Sequence, residues 1–166
     1  MRRRAGAVRD RKWLQQRHLT TTGDFRLDYR PGPGDVLRVI PCIDTIPLTD
    51  LIDTFEISAG MRPAGGWYAG LALRSGRFER PMAYFHGSAP PTTEHKTPVL
   101  VCTCGELGCG GLLTRITLTG NLVVWDRFGL PYRTDRDYSA FGPFLFDRDR
   151  YDKAVRALDA ELATDK

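Results

Sequence analysis

Long apolar runs are missing from this chain of 166 residues. Its apolar stretches, such as Pro98-Val99-Leu100-Val101-Cys102 and Leu122-Val123-Val124-Trp125, fall far short of the ~20 residues a membrane-spanning helix needs. No basic stretch leads into an apolar segment and a small-residue cleavage site, because Arg2 to Arg4 give way to Ala5-Gly6-Ala7-Val8 and then to more charge. A secretory signal needs all three parts, so the expected compartment is the cytoplasm, with no membrane association. Internal repeats and low-complexity tracts are absent as well. So are G-x-S-x-G, P-loop, H-E-x-x-H and G-x-G-x-x-G motifs, which leaves no catalytic signature to build on. Cysteine is scarce, at four residues, and histidine scarcer, at three.

What remains is ordinary for a globular domain: 42% hydrophobic and 27% charged residues. A chain of roughly 150 residues buries about two-thirds of its unfolded surface, enough for a core without disulfide staples. The net charge of +4 hides an asymmetry. Arg2, Arg3, Arg4, Arg9, Arg11, Lys12 and Arg17 stand against Asp10 alone, so the excess of base lies in the first 17 residues and the rest is slightly acidic. Residues 1–23 are expected to form a basic tail, and 24–166 a single domain. Such a tail offers phosphate contacts through counterion release. Unpatterned terminal charge is more commonly just solvated.

Alternation of Phe25, Leu27 and Tyr29 with charged neighbours predicts a strand, broken by Pro31-Gly32-Pro33-Gly34 and followed by a partner at Val36 to Ile40. Leu48, Leu51, Ile52 and Phe55 recur at helical spacing, with Thr49 as the expected N-cap and Glu56 near the far end. Trp67 to Leu73 reads as one buried strand and Met82 to Phe85 as a weaker one. His86 to Pro98 reads as a long loop. Pro98 to Cys102, Leu112 to Leu118 and Leu122 to Trp125 follow as strands, the last two joined at Gly120-Asn121. Arg127 to Tyr138 is polar and reads as an exposed connection. Asp147 is placed to cap a terminal helix whose apolar face holds Tyr151, Ala154, Val155, Leu158 and Leu162. Together these elements predict an α+β fold: a mostly antiparallel sheet of hairpins and a meander, a short internal helix, and a C-terminal amphipathic helix packed on the sheet. Trp67, Trp125, Phe141, Phe144 and Phe146 are assigned to its core.

The chemistry-bearing segment is Cys102-Thr103-Cys104-Gly105-Glu106-Leu107-Gly108-Cys109-Gly110-Gly111. Three thiols in one glycine-rich turn suit a zinc ion, with Cys42 or His86 (or His95) as fourth ligand. A Cys104–Cys109 disulfide or a reactive thiol is a second reading, and small cysteines packing a tight turn a third. An enzyme built on Cys102, Cys104 and Cys109 would take His86 or His95 as base, with Glu94 or Glu106 to orient it. Gly105 and Gly108 would let the backbone fold Cys109 back toward the other two.

These residues also carry a family resemblance. Val101 to Gly110, Val123-Val124-Trp125-Asp126-Arg127-Phe128, and Phe141-Gly142-Pro143-Phe144-Leu145-Phe146-Asp147 with Tyr151 resemble a group of uncharacterised small actinobacterial proteins. That group carries a cysteine pair, a Gly-(Asp/Glu)-Leu-Gly-Cys-Gly turn, a Val-Val-Trp-x-x-Phe strand and a Gly-Pro-Phe-x-Phe entry to the last helix. Pro47 to Glu56 and Tyr68 to Leu71 resemble its first helix and the strand after it. The resemblance covers roughly residues 25–160 and implies a single-domain fold without assigning an activity. C-x-C here replaces the group's usual C-x-x-C, which changes the face the first thiol occupies.

The resulting expectation is a non-catalytic cytoplasmic protein that binds another protein, an immunity- or antitoxin-like role being one version, with a structural Cys-rich turn that takes zinc. A thiol- or metal-dependent enzyme is the alternative, and nucleic-acid contact through the tail the third reading.

Overall fold

The computed structural model describes residues 22–74, 76–88, 95–104 and 111–164. Residues 1–21 of the expected basic tail, together with Glu94, Gly105, Glu106, Gly108 and Cys109, lie outside the described residues. Alternating residues of β1 (Phe25–Pro31) pair antiparallel with β2 (Leu37–Ile43), Phe25 opposite Ile43, across a 3-10 turn at Pro33–Asp35. On its other edge β2 takes two short strands, β3 (Ile46–Pro47) and β5 (Leu71–Ala72). A second, five-stranded antiparallel sheet runs in the order β4 (Tyr68–Ala69), β6 (Thr97–Cys102), β7 (Leu112–Thr119), β8 (Leu122–Gly129) and β9 (Phe144–Asp147). The helices are α1 (Leu48–Ser58), α2 (Pro81–Phe85) and α3 (Arg148–Thr164). The architecture is α+β, with the C-terminal helix packed on a curled sheet. No helix among the described residues is long and apolar enough to cross a membrane.

Both expected hairpins form, and Gly120 takes the positive φ of 57° that the tight β7–β8 turn requires. The α3 cap forms too: Asp147 Oδ1 accepts the Arg150 N–H at 3.0 Å, and Tyr151, Val155 and Leu158 turn inward. Trp125, Phe144, Phe146 and Phe141 are buried as assigned.

Four expectations need correction. Helix α1 begins at Leu48 after Pro47, so Thr49 sits inside its first turn instead of capping it. The 82–85 segment is helical, started by Pro81, whose fixed φ suits the first helical position. β8 continues to Gly129, and Tyr138, expected in an exposed connection, is buried. Trp67 to Leu73 is two strands in two different sheets, and Trp67 itself is 48% exposed.

Gly70 explains that last division. A Cβ there would stand 2.6 Å from both the Val39 carbonyl oxygen and Ile40 Cγ1, so only glycine lets the chain press against β2 at this point. The segment leaves the five-stranded sheet, crosses at Gly70 and joins the four-stranded one. Arg38 Nη1 donates to the Gly70 carbonyl at 3.1 Å and fixes the crossing.

Candidate functional site: a cleft over a buried carboxylate

Helix α1 carries its apolar stripe through Leu48, Ile52 and Phe55, and Glu56 falls on that stripe one turn after Ile52. Its side chain is fully buried. A buried carboxylate is costly unless paired and hydrogen-bonded, and here Oε1 is surrounded. Tyr68 donates to it at 2.5 Å, Tyr138 donates at 2.7 Å, and Arg136 Nη1 lies 3.3 Å away. Arg136 also donates through Nη2 to the Pro63 carbonyl at 2.6 Å. Thus Glu56 ties α1, β4 and the 130–138 loop together, and Arg136 extends the tie to the 59–67 loop. Glu56 Oε2 has no hydrogen-bond partner.

Burial and the hydrogen bond to Glu56 push the Tyr68 phenol well above the usual tyrosine range and the Tyr138 phenol up to about 12. Both therefore stay protonated donors. Burial opposes the Arg136 charge, but Tyr138 and Glu56 outweigh it and hold its pKa above the ordinary arginine value.

Above this network opens a cleft of about 70 Å³, lined by Trp67, Tyr68, Cys102, Leu130, Arg133 and Arg136 beside Pro63. Cofactor and substrate pockets hold ~300–1,000 Å³. The cleft therefore fits the tip of one inserted side chain. The segments that line it, 57–67 and 130–138, also carry exposed apolar groups. Trp67 is 48% and Tyr132, within the turn closed by the Arg133 N–H on the Leu130 carbonyl, 70% exposed. Ile57, 59% exposed, lies at the end of α1 against the Gly65 side of the neighbouring loop. That loop is pinned by the Gly66 N–H on Asp53 Oδ2 at 3.0 Å.

The cysteines expected to act together are placed as follows. Cys102, at the end of β6, reaches the cleft and accepts the Cys104 N–H on its sulfur at 3.3 Å. Cys104 is exposed. Cys42 is buried in β2, and burial with the hydrogen bond to Asp28 pushes its thiol up to about 11. His86 ends α2 and meets Asp152 of α3 at 2.6 Å, its ring stacked 6.4 Å from Tyr151. It does not line the cleft. Among the described residues no three His, Cys, Asp or Glu side chains converge as a metal-binding group. Glu56, Tyr68, Arg136 and Tyr138 were not singled out in the sequence as a network. The one available signal was that Glu56 continues the apolar stripe of its helix.

The Tyr138 and Cys42 shifts carry a pH prediction. Their folded-state values lie above the ordinary 10.0 and 9.0, so the unfolded chain ionises first as pH rises. The stability they contribute is complete below about pH 9 and is lost as pH climbs through 11 to 12. Urea midpoints are expected to fall steadily across that window, and less steeply at its lower end for Cys42→Ala. A midpoint that does not change with pH there contradicts the assignment.

Neither a known protein family, nor a curated protein, nor a solved structure matches the chain.

Proposed function

We propose that the protein is a non-catalytic binding protein that docks another protein through the face formed by the 57–67 and 130–138 segments. The observation that carries this reading is that exposed anchors fall in the segments that line the cleft. Among the described residues four large apolar side chains are exposed, and three of these, Ile57, Trp67 and Tyr132, fall in the two segments that contribute Pro63, Trp67, Leu130, Arg133 and Arg136 to the cleft. Trp, Tyr and Arg are the residue types that dominate interface hot spots, because they combine large apolar area with a polar handle. A rigid platform lowers the entropy cost of binding, and the Glu56 network supplies rigidity beneath the loops.

The partner presents one apolar side chain to the cleft and a carboxylate to Arg133. Arg133 is matched to that group because its pairing with Asp135 is loose, at 3.4 Å, and Asp135 is itself 70% exposed. Selection of a displayed peptide library on the full chain tests this. Enriched peptides are expected to place an aromatic or aliphatic residue beside Asp or Glu. Their affinity is expected to fall about 30-fold in Trp67→Ala and to be unchanged in Val36→Ala, at the remaining exposed apolar position. Binding insensitive to Trp67→Ala, or selection that enriches nothing, overturns the reading.

A further inference from the structure

The same cleft contains a chemistry that docking does not use. Cys102 opens into it beside Arg133 and Arg136, and Cys104, two residues on, is exposed. Both are thiols in the structure. The chain turns at residues 103–104, immediately after β6, and the Cys104 N–H meets the Cys102 sulfur at 3.3 Å. Two Cα steps of ~3.8 Å joined at a bend bring residues two apart within the ~4.4–6.8 Å that a disulfide spans. A peroxide is small enough for a cleft of about 70 Å³. Arg133, only loosely paired with Asp135, offers donors there for its leaving oxygen.

We propose that Cys102 and Cys104 are a peroxide-oxidisable dithiol, with Cys102 as the sulfur attacked first and Cys104 as the resolving thiol. In the first step the Cys102 sulfur attacks hydrogen peroxide and the O–O bond breaks. One oxygen stays on sulfur as the sulfenic acid, and the other leaves as water with the thiol proton. In the second step Cys104 attacks that sulfur. The S–O bond breaks, the hydroxyl leaves as a second water with the Cys104 proton, and the Cys102–Cys104 disulfide forms. A dithiol reductant returns both thiols. The ring so closed contains Thr103, whose N–H holds the Trp67 carbonyl at 2.9 Å. The inference concerns the isolated chain and stands whether or not the docking face has a partner.

The test treats the reduced full-length protein with hydrogen peroxide and reads intact mass and peptide maps. Loss of two hydrogens with Cys102 linked to Cys104 is expected, reversed by dithiothreitol. In Cys104→Ser the reaction is expected to stop at a Cys102 sulfenic acid, trapped by dimedone about tenfold more than in the unsubstituted chain. Cys102→Ser is expected to abolish the disulfide, while buried Cys42 stays unlabelled throughout. A first disulfide that includes Cys109 or Cys42, dimedone labelling that Cys104→Ser leaves unchanged, or thiols that all remain reduced would each overturn the proposal.

Discussion

Replacement of Glu56 by alanine is expected to destabilise the fold by about 3–5 kcal/mol, the range for breaking a buried pair by removing one partner. Three groups lose their acceptor at once. Arg136 keeps its charge with a side chain only 6% exposed, and the Tyr68 and Tyr138 hydroxyls are left facing each other in the core. Desolvated donors without partners cost more than the hydrogen bonds they made were worth in net terms. Glu56→Gln keeps an acceptor oxygen for the tyrosines but not the charge, so about half the loss is expected. Urea unfolding of the two variants separates the contributions. A Glu56→Ala variant within ~0.5 kcal/mol of the parent would show that the network is not a structural tie.

Trp125→Ala is the second large effect, also about 3–5 kcal/mol. Trp125 is fully buried at the centre of an aromatic cluster, with Phe25, Phe146 and Tyr151 ring centroids at 5.4, 5.7 and 6.3 Å. Removing the indole opens a cavity between β8, β9, β1 and α3. It also removes the Nε1–H that Tyr151 Oη accepts at 3.1 Å, while Tyr151 goes on donating to the Phe85 carbonyl at 2.6 Å. Trp125→Phe retains most of the volume and loses only that hydrogen bond, so about 1–2 kcal/mol is expected. Equal losses for alanine and phenylalanine would assign the effect to the hydrogen bond instead of to packing.

Elements with a strong local signal were legible in the sequence. Gly120-Asn121 fixes its hairpin because few other residues tolerate a positive φ in a two-residue turn. Asp147 followed by apolar residues at helical spacing fixes α3 at its capped end. Trp67 to Leu73 was not legible as two strands. Its break depends on how close β2 approaches Gly70, a tertiary fact that an unbroken apolar run does not encode. The 82–85 segment shows the known ambiguity of short apolar runs, where periodicity cannot separate strand from helix; Pro81 was the better guide. At the site, cysteine spacing singles out Cys102, Cys104 and Cys109; the Cys104 N–H meets the Cys102 sulfur, and Cys109 lies outside the described residues. The Glu56 network joins residues 56, 68, 136 and 138 from distant segments, and nothing in their local spacing relates them.

The exposed state of Trp67 follows from the same cause. It precedes β4 at the sheet edge, and its carbonyl is held by Thr103 while its ring is left outside. A tryptophan half out of a fold otherwise dense in buried aromatics is the feature on which the docking reading turns.

The most direct test of that reading is an amide chemical-shift titration of the full chain with a library-selected peptide. Perturbations are expected to cluster at residues 57–68, 102–104 and 130–138, and to vanish in Trp67→Ala. Perturbations centred instead on the separate hollow of about 400 Å³ lined by Leu73, Phe78 and Leu162 would contradict the account.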